Sequence, residues 1–584
     1  MKKRIIVLLI CFASSISITK AVNIVSNQTE TLPQESIFVH LNSSLFLAGE
    51  NLYYKVYCLN DKVNQLSTLS KIAYVELVGE NHEVVFKHKI KLDSGVGYGD
   101  FVIPTSVNSG NYMLIAYTQW MKNAESDYFF KGNVAVINPF QNNQEAILAD
   151  SEKQDSTFNI ATVNEIRENV NSQFLEITTN RKKFQKRSKG SLILKNISNK
   201  NLKGNYSISI RKIDALDRLV SKAKSANTFV SEQGESGHDI NKINYLPELR
   251  GELISGKLIK ITDDKPAVKE KVSLSINEKD FILKVANTDD NGVFYFNINN
   301  DYNNENAVLQ VLDRDNKDYR IILDEHSSVD YNTIDFGEMK ISSKYRKPLE
   351  QRSIYNQIEN GYFSLKPNTL KPIDTIRPFF ETYHATFYLD DYTRFSKVRE
   401  TFIEVIKDSY IQKDNNNKTN FYVTSLNPYE RLEKPAGVIV DGILLQSFDE
   451  FLEYDSRRIK KISIARTETN FILGSKIFGG FIVVETFDGD FYKELPKENV
   501  TMVKLFKPQP KKNYFKKDYE NVMTTNRIPD YRSQLLWEPN VKMEEKELIF
   551  NFFTSDNSGE FEIRLEGFTA NGNPVSISSF ITVE

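Results

Sequence analysis

His82 and His88 are the closest pair among the six histidines of the chain, and they lie six residues apart across the run Val84 to Ile90. That is not the spacing of two histidines four apart on one helix face, so no metal site is expected from them. The stretch Asp313-Arg314-Asp315-Asn316-Lys317-Asp318 begins with the alternating oxygens of a calcium loop. It lacks the glycine and the closing glutamate, and Lys317 stands where a ligand belongs, so a turn is expected instead. Gly474-Ser475-Lys476 ends like a phosphate loop, but Thr469 occupies the place of the leading glycine and the segment falls between two strand-like runs. There is no G-x-S-x-G elbow. Asp390-Asp391 are adjacent carboxylates, yet among 77 acidic residues adjacency carries no information, and a glycosidase pair is defined by its separation in space. These residues predict a protein with no catalytic residue, no cofactor and no metal.

The cysteines and tryptophans are as sparing. Cys11 and Cys58 are the two cysteines, and Cys58 falls in the alternating run Leu52 to Cys58, which predicts a buried strand position rather than a reactive thiol. Aromatic residues make up 12% of the chain, and those that alternate along strands are expected to fill a half-buried pleated face. Trp120 follows Tyr117-Thr118-Gln119 and precedes a Lys122-Asn123 turn. At such a position it either plugs a core or stands exposed as an interaction anchor, a role tryptophan favours at interfaces.

The elements that position these residues follow from the wider pattern. The chain has 584 residues and a formal charge of −2, with 40% hydrophobic residues. Length alone suggests about four domains. The balanced charge gives no basic face for nucleic acid, and the densest basic run, Lys507 to Lys517, carries Pro and Tyr and reads as a solvated linker. Lys2, Lys3 and Arg4, the apolar run Ile5 to Ala13 and the small-x-small site Thr19-Lys20-Ala21 predict a secretory signal over residues 1–21. The apolar run is shorter than the roughly 20 residues that span a bilayer, so no transmembrane segment is expected. Its removal leaves Cys58 alone, and no internal disulfide is expected.

Period-two alternation broken by turn residues predicts antiparallel sandwiches. It runs through residues 36–140, as in Ala73-Tyr74-Val75-Glu76-Leu77-Val78 and Tyr112-Met113-Leu114-Ile115-Ala116-Tyr117. A polar linker over 141–171 precedes a weaker second sandwich over 172–225, and a mobile connection over 226–246 follows. A third sandwich spans 247–330, where Asn291-Gly292 offers the positive φ of a tight hairpin. Helical spacing marks Arg352 to Asn360 and Phe395 to Ile406. A smaller α+β unit occupies 379–492, a linker 493–526, and a β segment 527–584, which is either another sandwich or the missing half of an earlier one.

Three stretches resemble known families. IFVHLNSSLFLAGENLYYKVY (Ile37 to Tyr57) resembles the entry strands of the macroglobulin domain of alpha-2-macroglobulin-type proteins, and Ile115 to Pro139 resembles its closing strands as found in exported Bacteroidota proteins. Those inhibitors trap proteases through a Cys–Gln thioester, and neither Cys11 nor Cys58 lies in such a motif, so covalent trapping is not expected. Residues Pro247 to His326 resemble the carboxypeptidase regulatory-like sandwich, an add-on β-domain that implies no peptidase. The segment Val438 to Phe491 resembles the plug of TonB-dependent receptors, with Val440-Asp441-Gly442 as the turn after its first strand. Ile459 to Ile464 then serves as its next strand and Gly479-Gly480-Phe481-Ile482-Val483-Val484 as its last. Asp441, Gly442, Gly479 and Gly480 are thus expected to be structural turn residues. Only 93 residues follow Phe491, against well over ~220 for a 22-strand barrel, so a plug-like unit without its own barrel is expected.

The expectation is a mainly β, multidomain string of antiparallel sandwiches with a small α+β unit. Its implied job is non-enzymatic: an exported binding or adaptor protein of the outer membrane, periplasmic or at the cell surface, docking onto an envelope protein such as a barrel or an export or uptake complex. The alternative is a carbohydrate- or peptide-binding component of TonB-dependent nutrient uptake.

Overall fold

The computed structural model describes residues 33–63, 65–124, 126–149, 169–198, 203–232, 243–278, 280–314, 316–324, 329–372, 378–414, 417–427, 429, 433–474, 476–495, 500–520 and 527–584. The expected signal and Cys11 lie outside the described residues, as do 150–168 of the linker expected over 141–171 and 233–242 of the connection expected over 226–246, which begins instead with the helix Ala226–Glu232. The architecture is mainly β, built of antiparallel sandwiches and one α/β unit.

In the first sandwich the strand Asn51–Asn60 lies between Glu35–Leu41 and Val96–Val102, antiparallel to both. The facing sheet runs in the order Leu45–Leu47, Phe130–Ile137, Gly110–Tyr117, Ile72–Gly79, Val84–Lys91. Alternate side chains of the two sheets, among them Tyr54, Val56, Val75 and Leu114, meet in one core. Asn51–Asn60 is buried on both faces over most of its length. Its outer face is covered by the second sandwich, where Phe568 packs on Phe38 and Tyr57.

The second sandwich is assembled from two distant stretches of chain. Gly204–Lys212 pairs on one side with Gln534–Lys542 and on the other with Gly559–Thr569. Lys189–Asn196 pairs with Glu547–Phe553. The strands after residue 527 are therefore not a separate unit. Without them Leu192, Ile208 and Ile210 would lose the Ile563, Leu565 and Phe552 side chains that share their core.

The third sandwich stacks the sheet Val293–Ile298, Glu252–Lys260, Tyr319–Leu323 on the sheet Ile282–Asn287, Lys271–Ile276, Asn306–Leu312, Thr501–Lys504. The last of these strands lies in the stretch expected to be a linker. It adds to the open edge at Asn306–Leu312, and Leu505 beyond it is buried in the core. Gly292 has φ +73°, but the turn is not a hairpin, because Ile282–Asn287 and Val293–Ile298 belong to different sheets. Asn291-Gly292 makes a sheet-to-sheet corner.

The α/β unit carries the sheet Ala385–Tyr388, Ile459–Ala465, Phe481–Thr486, Gly437–Val440, Ile443–Leu444. Helices Val398–Glu404 and Asp449–Glu453 cover one face through Phe402, Phe451 and Leu452. The other face, with Ile439, Leu444 and Phe481, packs on Phe281, Leu283 and Leu312 of the third sandwich. The stretch that carries Gly474, before the strand Phe481–Thr486, folds as the hairpin Phe471–Leu473 with Lys476–Phe478. A longer helix, Arg346–Gly361, lies against the first two sandwiches. Among the described residues no helix is long and apolar enough to cross a membrane.

Candidate functional site

Asp441 and Gly442 both have positive φ, +49° and +85°, and turn Gly437–Val440 into Ile443–Leu444. That is the backbone of a two-residue hairpin turn of the kind Asp-Gly favours. The Asp441 carboxylate accepts from Thr486 N at 2.9 Å, Thr486 Oγ1 at 2.7 Å and Phe491 N at 3.2 Å. Burial pushes its carboxyl up, and these donors oppose the shift. A Cβ on Gly442 would stand 2.8 Å from Phe281 Cβ, so the missing side chain seats the α/β unit on the third sandwich. Gly480 has φ +140° and backs onto Val423, while Gly479 N donates to Pro435 O at 3.0 Å. All four residues shape backbone.

Trp120 is not an exposed anchor. Its side chain is 4% exposed, and Nε1 donates to Pro33 O at 2.7 Å. A 3-10 turn over Trp120–Asn123, started by Met121 N donating to Thr118 Oγ1, accompanies this burial of the indole. Cys58 is buried and unpaired, with burial pushing its thiol up. His88 Nδ1 contacts the Tyr54 hydroxyl at 2.8 Å, and His40 Nδ1 contacts Ser207 Oγ at 2.6 Å. The second pair has the types of a base and a nucleophile, but both residues are sealed between the first two sandwiches, where Tyr57 also holds Ser207 at 2.9 Å. It pins an interface. No group of three potential metal ligands occurs among the described residues.

The described residues do bring together a constellation that local sequence could not show. Where the first sandwich, the second sandwich and the helix Arg346–Gly361 meet, they enclose a cleft of about 180 Å³. Its keystone is Arg352. Nε and Nη2 donate to Glu50 Oε1 and Oε2, each at 2.8 Å, and Nη2 also reaches Leu45 O at 3.1 Å. Nη1 reaches Asp214 at 3.2 Å and Asp217 at 3.4 Å. Burial alone would raise the Glu50 carboxyl, but Arg352 and Arg211 beside it hold it at about 2. Asp217 goes the other way, pushed up to about 6 by burial that outweighs the pull of Arg352.

Aromatic rings and amides line the rest. Tyr355 of the helix stacks on Tyr531 with centroids 4.1 Å apart and planes at 8°. Tyr53 stacks on Trp537 at 5.8 Å. Gln351, Asn356 and Asn360 extend from the helix, and Asn51 from the strand edge. The remaining cations are engaged: Arg532 bonds Asp530 at 2.7 and 2.8 Å, and Lys366 bonds Glu359. Trp537, one of two tryptophans, and the helix over Arg352 to Asn360 were visible in the sequence. Their meeting with Glu50 was not.

No protein-family model matches the chain, and a search of curated proteins finds no match. Among solved structures, Escherichia coli alpha-2-macroglobulin activated by porcine elastase overlaps at TM-score 0.24 and 8% identity, over 94% of this chain and 44% of that one. Salmonella alpha-2-macroglobulin reacted with methylamine overlaps at TM-score 0.22 and 9% identity, over 94% and 39%. The E. coli adhesin FdeC overlaps at TM-score 0.14 and 9% identity, over 51% and 63%. The chain thus spans less than half the length of the macroglobulins it overlaps, and superpositions this shallow define no shared fold.

Proposed function

We propose that this chain is an exported, non-enzymatic binding protein of a bacterial envelope, and that it docks onto an outer-membrane barrel or an export or uptake complex through its α/β unit. One observation carries this reading. Ala385–Tyr388 is the outer strand of that unit's sheet, with Ile459–Ala465 on one side and no strand on the other among the described residues. Tyr388 and, just beyond the strand, Tyr392 are exposed, and Phe487, after the strand Phe481–Thr486, is exposed at the same end of the sheet. An open edge beside exposed aromatic side chains is a surface suited to a protein partner. The plug-like order of turns and strands around Asp441 and Gly480 supports an envelope setting.

Cross-linking in intact cells followed by pull-down from detergent-solubilised outer membranes tests it. The expected result is one recurrent envelope protein, lost when Tyr388 and Phe487 are both replaced by Asp. Recovery only as a free monomer would sink the reading. A second reading, a carbohydrate- or peptide-binding component of nutrient uptake, is favoured by the cleft around Arg352.

A further inference from the structure

The cleft has three properties that together choose a ligand class. Its cations but one are paired with carboxylates: Arg352 and Arg211 lie on Glu50, Arg532 on Asp530 and Lys366 on Glu359, while Lys212 donates to the neutral Asn557 side chain and burial disfavours its charge. An anion would find only that half-buried ammonium without breaking an ion pair, and a cation would have to displace one of the arginines or Lys366. Its polar capacity is amide and phenol: Asn51, Gln351, Asn360 and Tyr531 present groups that both donate and accept. Its apolar surface is aromatic, from Tyr53, Tyr355 and Trp537. Two buried donors of lining residues, Arg211 Nε and Trp537 Nε1, have no acceptor. Buried polar groups left so are uncommon and mark a place where an acceptor is missing.

We propose that this cleft binds a neutral saccharide, one sugar ring entering and the rest of the chain leaving past the exposed Phe363 at its edge. A pyranose has C–H faces that aromatic side chains cover and a rim of hydroxyls, each a donor and an acceptor, that amides and phenols bond. Its lack of charge matches walls whose charges, Lys212 apart, are already paired. The size agrees: about 180 Å³ exceeds the ~150 Å³ cavity that takes a benzene ring. The junction of packed units is also where small-molecule sites concentrate. This assignment deepens the ligand-binding reading and does not depend on the open strand at Ala385–Tyr388.

Trp120 and Trp537 are the only tryptophans, so Trp120→Phe leaves Trp537 as the sole indole reporter, beside the cleft. Neutral hexasaccharides of glucose, mannose, galactose and N-acetylglucosamine are titrated into that variant, and into the unaltered chain by calorimetry in case the substitution harms folding. A random peptide mixture and a sulfated hexasaccharide are run beside them. The expected result is saturable binding of at least one neutral saccharide. Tyr531→Phe, which keeps the stack on Tyr355 and removes the hydroxyl, and Asn51→Ala should each weaken it tenfold or more with melting temperature unchanged. Binding of none of the neutral saccharides, binding of the peptides or the sulfated sugar alone, or binding untouched by both variants would overturn the assignment. Loss of the membrane partner with sugar binding intact would instead sink only the docking reading.

Discussion

Arg352 and Glu50 stand 302 residues apart, yet the guanidinium grips both carboxylate oxygens at 2.8 Å. Both side chains are buried, so the pair joins the first sandwich to the helix Arg346–Gly361, and Asp214 ties the second sandwich to the same guanidinium. Replacing Arg352 leaves buried Glu50 with Arg211 alone, at 3.3 Å, and takes from Asp214 and Asp217 the cation they share. Arg352→Met is expected to cost about 3–5 kcal/mol, and Arg352→Met with Glu50→Leu to recover only part of that, because Arg211 then loses Glu50 and the two aspartates still lack their cation. Thermal unfolding of the two variants is the check, and a single variant that melts with the parent would refute the keystone role.

Glu248 predicts a specific pH dependence. It is buried between the first and third sandwiches, with Tyr74 Oη 3.2 Å away and Lys89 and Glu252 nearby. Burial pushes its carboxyl up to about 7, although Lys89 pulls against it. The folded chain keeps a proton that the unfolded chain releases near 4.5. Stability from this group is therefore full below about 4.5 and lost as pH rises through about 7. Glu248→Gln should gain on the parent between pH 5 and pH 8, by roughly 3 kcal/mol at most. His88, held down to about 4 by burial, acts in the opposite sense: its contribution is present above about 6.5 and lost as pH falls through 4. The comparison is thus made between variant and parent at each pH. A difference that does not change with pH would contradict the protonated carboxyl.

The second sandwich makes a prediction about order of assembly. Both neighbours of Gly204–Lys212 come from beyond residue 527. A chain ended at residue 526 should lose hydrogen-exchange protection along Gly204–Lys212 and Lys189–Asn196 while Asn51–Asn60 keeps its protection against Glu35–Leu41 and Val96–Val102. Retained protection in Gly204–Lys212 would show that another strand can take the vacant place.

Strand content was legible because alternation is local: Tyr112 to Tyr117 carries its own period, and Asp441-Gly442 its own turn chemistry. Pairing was not, because nothing along Gly204–Lys212 names Gln534–Lys542 as its neighbour. Thr501–Lys504 was hidden by its brevity and by the lysines that follow it. Trp120 was undecided for a physical reason, since an indole at a strand end packs inward or outward according to how the next turn bends. The cleft was invisible for the same cause as the pairing. Glu50, Arg352 and Tyr531 look like any surface residues of their type until the fold places them together.

The turn at Asp441 and Gly442 separates two contributions that single variants can resolve. Asp441 supplies the acceptor for three donors, and two of them, Thr486 Oγ1 and Phe491 N, bond Oδ2. Asparagine tolerates the same positive φ and keeps one oxygen, so Asp441→Asn should retain the bond to Thr486 N, reverse the one to the Thr486 hydroxyl, with Nδ2 now donating, and lose the one to Phe491 N. Alanine loses all three and is strained at φ +49°. Stability should fall in the order parent, Asn, Ala, with losses of about 1–3 kcal/mol per unsatisfied buried donor. Gly442→Ala tests the seat rather than the turn: at φ +85°, with Phe281 Cβ 2.8 Å from the new methyl, it should loosen the α/β unit from the third sandwich. Faster exchange along Ile282–Asn287 and Gly437–Val440, with Gly204–Lys212 unchanged, is the expected signature. Uniform loss of protection through the whole chain would mean that the two units unfold only together with the rest.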